Sequence, residues 1–203
     1  MRVSIRKNTG CLVQLAQEIQ ACNACKLRSP DLLPLAGVGP SYADIMLIGE
    51  APTTEAAKRG EPFLDITVSG ENLNIFLSFV GLKRDEVYIT NVCKCPKRVE
   101  YANFWTCRMW LDKEIKIIQP KMIITLGGPA IEAIGGVSIS GFRKKWGFSG
   151  QVKDRLIFPF LHPSAWERNK RKKRQEVIEE ERELLNELMR LLQDPGIVKL
   201  VES

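Results

Sequence analysis

The residues in this sequence best suited to chemistry are six cysteines, a single histidine, and a few carboxylates and amides set directly after short apolar runs. Cys22-Asn-Ala-Cys25 presents two thiols at a spacing that lets both sulfurs hold one soft metal centre. Cys95 and Cys107, with 11 residues between them, are the candidates to complete a four-sulfur site. Cys11 falls inside a predicted helix, and Cys93 alternates with Cys95, which turns it to the opposite face of an extended segment. Both are expected to be small buried hydrophobes. The spacing fits zinc as well as an iron-sulphur cluster. Either centre is expected to be structural, tying the amino-terminal helix to the loop after the second strand.

Glu50, Asn91 and His162 form a second group. Glu50 follows Ile45-Met46-Leu47-Ile48-Gly49, Asn91 follows Val87-Tyr88-Ile89-Thr90, and His162 comes just after Leu156-Ile157-Phe158-Pro159-Phe160. With Met122-Ile123-Ile124-Thr125-Leu126, these runs are four predicted strands, although Pro159 restricts where the last one can pair. Helical periodicity lies between them: Leu12, Leu15, Ala16 and Ile19 in 11–19, a helix from Glu71 to about Val80, another over 104–118 stopped by Pro120, a short one over 129–134, and a last one over 175–192. Thr53 to Gly70 is expected to be a polar loop, and Arg143, Lys144 and Lys145 a basic turn. The expected fold class is α/β, a three-layer arrangement with a four-stranded parallel sheet flanked by helices. Such sheets bind ligands beyond the carboxyl ends of their strands. Chain order therefore gathers Glu50, Asn91 and His162 along one edge.

At 203 residues, 44 % hydrophobic and 27 % charged, the chain suits one globular domain over 1–203. Residues 1–30 carry the amino-terminal helix and the first cysteine pair, and 175–203 the carboxy-terminal helix and tail. No apolar run approaches the roughly 18 residues of a membrane span, and MRVSIRKNTG lacks a signal-peptide core. The expectation is a cytoplasmic monomer that does not engage membranes. In a reducing compartment six cysteines point to a metal before disulfides. The net charge of +6 suits a polyanionic partner, and its densest run, Arg168, Lys170, Arg171, Lys172, Lys173 and Arg174, follows closely on His162.

In order and spacing, Cys22-x-x-Cys25, Ile48-Gly49-Glu50-Ala51-Pro52, Gly60-Glu61-Pro62-Phe63, Val87-Tyr88-Ile89-Thr90-Asn91-Val92 with Lys94-Cys95, Pro120-Lys121 before Leu126-Gly127, and His162-Pro163-Ser164 form a recognisable series. Over about residues 11–192 the chain resembles the iron-sulphur uracil-DNA glycosylases often called family four. The resemblance implies a 4Fe-4S cluster on Cys22, Cys25, Cys95 and Cys107, with zinc as the alternative that spacing leaves open. It implies DNA as partner, single-stranded or a mispaired duplex with the base flipped out. The implied reaction is hydrolysis of the bond between uracil and deoxyribose in base excision repair.

The same residues can be read physically. An N-glycosidic bond breaks through an oxocarbenium-like sugar while negative charge grows on the departing base. His162 is expected to donate a hydrogen bond to that anion, and Glu50 to orient water and stabilise the sugar cation. Asn91 carries a donor and an acceptor that match the O4 and N3-H edge of uracil, an edge cytosine does not present. The resemblance adds Phe63 as a stacking ring, Ala51 and Ser164 as substrate contacts, and Trp166, Arg168, Lys170 and Arg171 as the segment entering DNA.

The family pattern is not followed everywhere. Thr53 stands where a glycine is usual, Ala56 where an acid is usual, and the stretch from Leu64 to Gly70 is longer, with Asp65 as a possible extra acid near the site. Because the missing acid is associated with excluding the thymine methyl, a looser pocket is expected. A non-catalytic relative that binds damaged DNA is the competing expectation, and a zinc-stabilised nucleotide hydrolase a weaker one.

Overall fold

The computed structural model describes residues 2–96, 104–147, 149–165 and 175–194. Five strands, β1 (Ile45–Gly49), β2 (Tyr88–Asn91), β3 (Met122–Leu126), β4 (Gly150–Val152) and β5 (Arg155–Phe160), form one sheet in the order β2-β1-β3-β5-β4. The four expected strands are all present and mutually parallel. The sheet departs from the four-stranded expectation by β4, which pairs antiparallel with β5. A three-residue Gly-Gln-Val segment has too little alternation to be legible as a strand. Its shortness also explains Pro159. β4 reaches no further than Ile157, so β5 is an edge strand on that flank where the proline sits, and no donor is missed there.

Side chains alternate across the sheet. Met46, Ile48, Ile123 and Ile157 face one layer, made by Leu15 and Ile19 of α1 (Arg2–Gln20), Trp110 and Leu111 of α4 (Phe104–Ile118), Ala130 and Ile131 of α5 (Gly128–Gly135) and Phe142 of α6 (Ile139–Trp146). Ile45, Leu47, Ile124, Phe158 and Phe160 face the other, made by Leu73, Phe76 and Leu77 of α3 (Val68–Phe79) and Leu184, Leu188 and Leu191 of α7 (Gln175–Gln193). Burying each such Leu, Ile or Phe contributes about 1.5–3 kcal/mol, so both faces of the sheet are committed. The outer flank of β2 is bridged by Val38, which exchanges backbone hydrogen bonds of 2.8 and 2.9 Å with Ile89. That bridge covers an edge otherwise open to a further strand.

Three local readings change. Residues 53–70 are not all loop: Thr53 caps α2 (Thr54–Arg59) by accepting from the N–H of Ala56, and Thr67 caps α3 by accepting from Gly70. Neither cap has an acid or glutamine three residues on, so the reciprocal capping signature is absent from the sequence. Arg143, Lys144 and Lys145 lie in the last turn of α6, capped by Ser138, rather than in a turn, and Arg143 pairs with Glu180 of α7. Cys11 is exposed on α1 and not buried. Among the described residues no helix is long and apolar enough to cross a membrane.

Candidate functional site

From β1 the chain leads outward to β2 on one side and β3 on the other, and at such a switch point the loops part to leave a crevice at the carboxyl edge. The pocket there is lined by Ala51, Pro52 and Thr53 after β1, Phe63, Ser69 at the start of α3, Asn91 closing β2, and His162 after β5. Asn91 is 3 % exposed, and its buried Oδ1 has no hydrogen-bond partner among the described residues. An unsatisfied buried acceptor costs about 1–3 kcal/mol, so this oxygen is held ready for a donor brought by a ligand. Gly49 makes room for it: a Cβ there would lie 2.4 Å from Asn91 Oδ1 and 2.5 Å from Phe63 Cζ.

His162 is oriented by its own turn. Ser164 N–H donates to Nδ1 at 3.2 Å, and Ser164 Oγ lies 2.8 Å from the same nitrogen. A backbone N–H can only donate, so Nδ1 is the acceptor and the neutral ring carries its proton on Nε2. Asn72 of α3 holds the turn by donating to the carbonyl of Pro163 at 3.0 Å. Gly127 (φ +94) passes close beneath, where a Cβ would sit 3.3 Å from that of His162. The Phe63 ring lies 5.8 Å from the imidazole at 32° and is 6 % exposed. Phe63 has φ 51, a left-handed conformation that costs a bulky residue on the order of 1–3 kcal/mol.

Other expected residues are placed differently. Glu50 is half-buried just after β1 and is not among those lining the pocket; its carbonyl accepts from Cys93 N at 2.8 Å. Ser164 acts on His162 and does not line the pocket. Ala56, 1 % exposed, is buried in α2 away from the lining. Asp65 does not line the pocket either: it accepts from Asn74 at 2.9 Å and lies 3.4 Å from Arg84. Trp166, Arg168, Lys170 and Arg171 lie outside the described residues. Ser69 was not legible as a pocket residue, because its place depends on α3 beginning earlier than its apolar period shows. Also missed is the buried network behind Asn91. Lys94 Nζ donates to the Asn91 carbonyl (2.8 Å), Thr90 Oγ1 (2.8 Å) and Glu114 Oε2 (2.6 Å), and Glu114 Oε1 accepts from Gly37 N (2.8 Å) and Tyr88 OH (3.3 Å).

Five of the six cysteines lie just after α1, in the loop after β2 and on α4, while Cys11 is exposed on α1 itself. Burial first, then the charges of Cys107, Cys25 and Cys22, push the Cys95 thiol up to about 12, so Cys95 is within electrostatic reach of the other three. Cys107 is lowered to about 7, chiefly by the hydrogen bond from Cys93, against the opposing effect of burial and with help from the Lys94 backbone N–H at 3.1 Å. Cys93 is raised, first by that same hydrogen bond and then by burial. Cys93 is thus buried as expected but meets Cys107 rather than facing away from the other thiols. Trp110 Nε1 donates to Cys22 Sγ at 3.3 Å. Among the described residues no three Cys, His, Asp or Glu side chains are arranged to hold a metal ion. In donor chemistry the set still suits a thiolate-held centre: it is all sulfur, and two N–H donors are aimed at the sulfurs of Cys22 and Cys107.

Fold and pocket together define a three-layer α/β protein with a pocket beyond the carboxyl edge of its sheet, into which a buried, unpartnered amide oxygen of Asn91 is set. Residues 36–188 match the family model described as the uracil DNA glycosylase superfamily, and the chain belongs to that superfamily. It is 34 % identical over 166 residues to a type-4 uracil-DNA glycosylase of Sulfurisphaera tokodaii, covering 76 % of this chain and 74 % of the relative. To a type-4 uracil-DNA glycosylase of Thermotoga maritima it is 28 % identical over 175 residues, covering 82 % and 88 %. A type-5 uracil-DNA glycosylase of Pyrobaculum aerophilum is 29 % identical over 117 residues, covering 50 % and 52 %.

Proposed function

We propose that this protein is a monofunctional DNA glycosylase that hydrolyses the N-glycosidic bond of uracil in DNA, leaving an abasic site for base excision repair. The observation that carries the reading is the buried, unpartnered Oδ1 of Asn91 in the pocket. Uracil N3-H supplies the missing donor, and the amide Nδ2 then donates to O4. Cytosine offers an acceptor at N3, which would leave Oδ1 unsatisfied and set its N4 amino group against the Nδ2 donor. The relatives named as uracil-DNA glycosylases support the same substrate class.

The base enters the pocket out of the helical stack and lies against Phe63. As the glycosidic bond lengthens, charge moves onto the base, and His162 stabilises it through Nε2–H. A neutral imidazole suffices, and Ser164 fixes that tautomer. Glu50 acts at the sugar, where its carboxylate stabilises the cation and orients the attacking water. No nucleophilic lysine is needed, so the strand stays intact.

Cys22, Cys25, Cys95 and Cys107 hold a 4Fe-4S cluster in this reading, with zinc the alternative. The centre's contribution is structural, joining α1, α4 and the loop that follows Asn91. Trp166, Arg168, Lys170 and Arg171 contact the DNA strand around the flipped nucleotide, and the protein works as a cytoplasmic monomer. The deciding experiment incubates metal-loaded protein with single-stranded and U:G oligonucleotides. Free uracil with strand breakage only after alkali is the expected result. Salt-dependent binding without base release from uracil, hypoxanthine or thymine mispairs would overturn it and leave a damage-binding relative.

A further inference from the structure

We propose that Arg84 is a positioning residue of the base pocket, its guanidinium holding the backbone of Phe63 in the conformation that presents the ring to the base. The proposal rests on the reading of Phe63 as the stacking side chain. Arg84 opens the short 3-10 turn Arg84–Glu86, at the far end of α3 from the pocket loop. Its Nη2 donates to two successive carbonyls, Pro62 at 2.8 Å and Phe63 at 2.6 Å, and lies 3.2 Å from Glu61 Oε1. Its Nη1 donates to Asn74 Oδ1 at 3.1 Å and lies 3.4 Å from Asp65 Oδ1, while Asn74 Nδ2 closes the ring of contacts on Asp65 at 2.9 Å.

One planar cation thus collects carbonyls and carboxylates from residues 61 to 65, in the middle of which Phe63 takes its left-handed backbone conformation. A bulky residue keeps that conformation only where its surroundings over-determine it. The loop also abuts the bare backbone of Gly70, where a Cβ would lie 2.6 Å from the Phe63 carbonyl oxygen and 2.0 Å from that of Leu64. The loop is therefore held by both α3 and the guanidinium. The grip needs a fork: two donors of one rigid plane reach different partners at fixed angles, which the single ammonium of lysine does not reproduce. Glu61 and Asp65 then serve to hold Arg84, which explains an acid in this loop without placing it at the base.

The test is a double-mutant cycle on metal-loaded protein with Arg84→Gln, Phe63→Ala and the double variant. Uracil release is measured in single turnover on a single-stranded oligonucleotide, and base extrusion by the fluorescence of 2-aminopurine placed beside uracil in a duplex. Arg84→Gln is expected to slow release about ten- to hundredfold and to reduce the fluorescence rise, as a misplaced positioning group does. In the Phe63→Ala background it should change neither. Arg84→Lys, which keeps the charge and loses the fork, should show the same dependence on Phe63, and it carries the cycle if Arg84→Gln does not fold. Equal losses in both backgrounds, or native release by Arg84→Gln, would overturn the proposal while leaving the stacking role of Phe63 intact. Native release and fluorescence by Phe63→Ala would remove the stacking reading and the proposal together.

Discussion

Lys94 Nζ lies 2.6 Å from Glu114 Oε2, with the two side chains 1 % and 0 % exposed, directly behind the strand end that carries Asn91. The pair is fully furnished: Thr90, Tyr88, Gly37 and the Asn91 carbonyl take up the remaining hydrogen-bonding capacity. Removing one partner strands the other charge without water. Lys94→Met is therefore expected to destabilise the protein by about 3–5 kcal/mol in urea unfolding, whereas adding Glu114→Leu should recover much of the loss. Because Lys94 also fixes the Asn91 carbonyl, the double variant should regain stability before it regains uracil release.

In the proposed reaction Asn91 and His162 act on the leaving group, so their loss should spare the fold. Asn91→Ala and His162→Ala are each expected to slow base release by about 10²–10⁴ while leaving DNA affinity and thermal midpoint close to native. Ser164→Ala should be milder, because the backbone N–H of residue 164 still donates to Nδ1 and keeps the proton on Nε2. Unchanged turnover in both of the first two variants would refute their assignment.

The sheet was legible because strands buried on both faces read as unbroken apolar runs; β1 and β3 match their runs residue for residue, β2 is shifted by one residue, and β5 begins one residue earlier. Chain order alone puts Asn91 and His162 at one edge, where both line the pocket. Thr53, expected beside the pocket, does line it. Ser69 escaped because α3 starts early, on a Thr67 cap that lacks the usual acidic partner, and the rest that escaped was set by contacts between segments remote in sequence. Asp65 looked like a site acid because proximity to Phe63 in sequence was all that could be read. Its carboxylate instead turns to Arg84, about 20 residues downstream, by the electrostatic attraction of a group whose position only the fold reveals. Strand alternation turns Cys93 away from Cys95, but β2 ends at Asn91, and beyond it the period of two no longer applies.

Cys22 tests the metal. It follows the end of α1, and Trp110 of α4 reaches its sulfur. Cys22→Ala is expected to cost more than about 4 kcal/mol, a scale that loss of a structural metal can reach. It should also remove the broad absorbance near roughly 400 nm of a thiolate-iron cluster. A colourless native protein containing zinc would replace the cluster by the alternative. Full stability and full metal content in the variant would remove Cys22 from the ligand set.

Lys172 and Lys173, outside the described residues, belong to the basic run that follows His162. Replacing both with glutamine should weaken binding to single-stranded DNA and reduce the slope of log affinity against log salt by about 1.4, since each phosphate contact contributes about 0.7 on a single strand. The rate of release at saturating DNA should change little. A loss of rate with unchanged salt slope would move these residues from the phosphates to the chemistry.

Thr53 lines the pocket and caps α2 at once, its Oγ1 accepting from Ala56 N at 3.1 Å. The two roles separate by substitution. Thr53→Ala removes the cap acceptor and should lower stability by about 1 kcal/mol, whereas Thr53→Ser keeps it and should stay near native. Both variants remove the methyl from the pocket. Ala56 and Asp65 are not in the lining, and Thr53 and Ser69 are the polar side chains lining the pocket beside Asn91 and His162. If the Thr53 methyl sets that limit, Thr53→Ser and Thr53→Ala should both raise release of thymine or 5-substituted uracils relative to uracil, measured on a panel of lesion oligonucleotides. An unchanged lesion profile in both would assign Thr53 to helix capping alone.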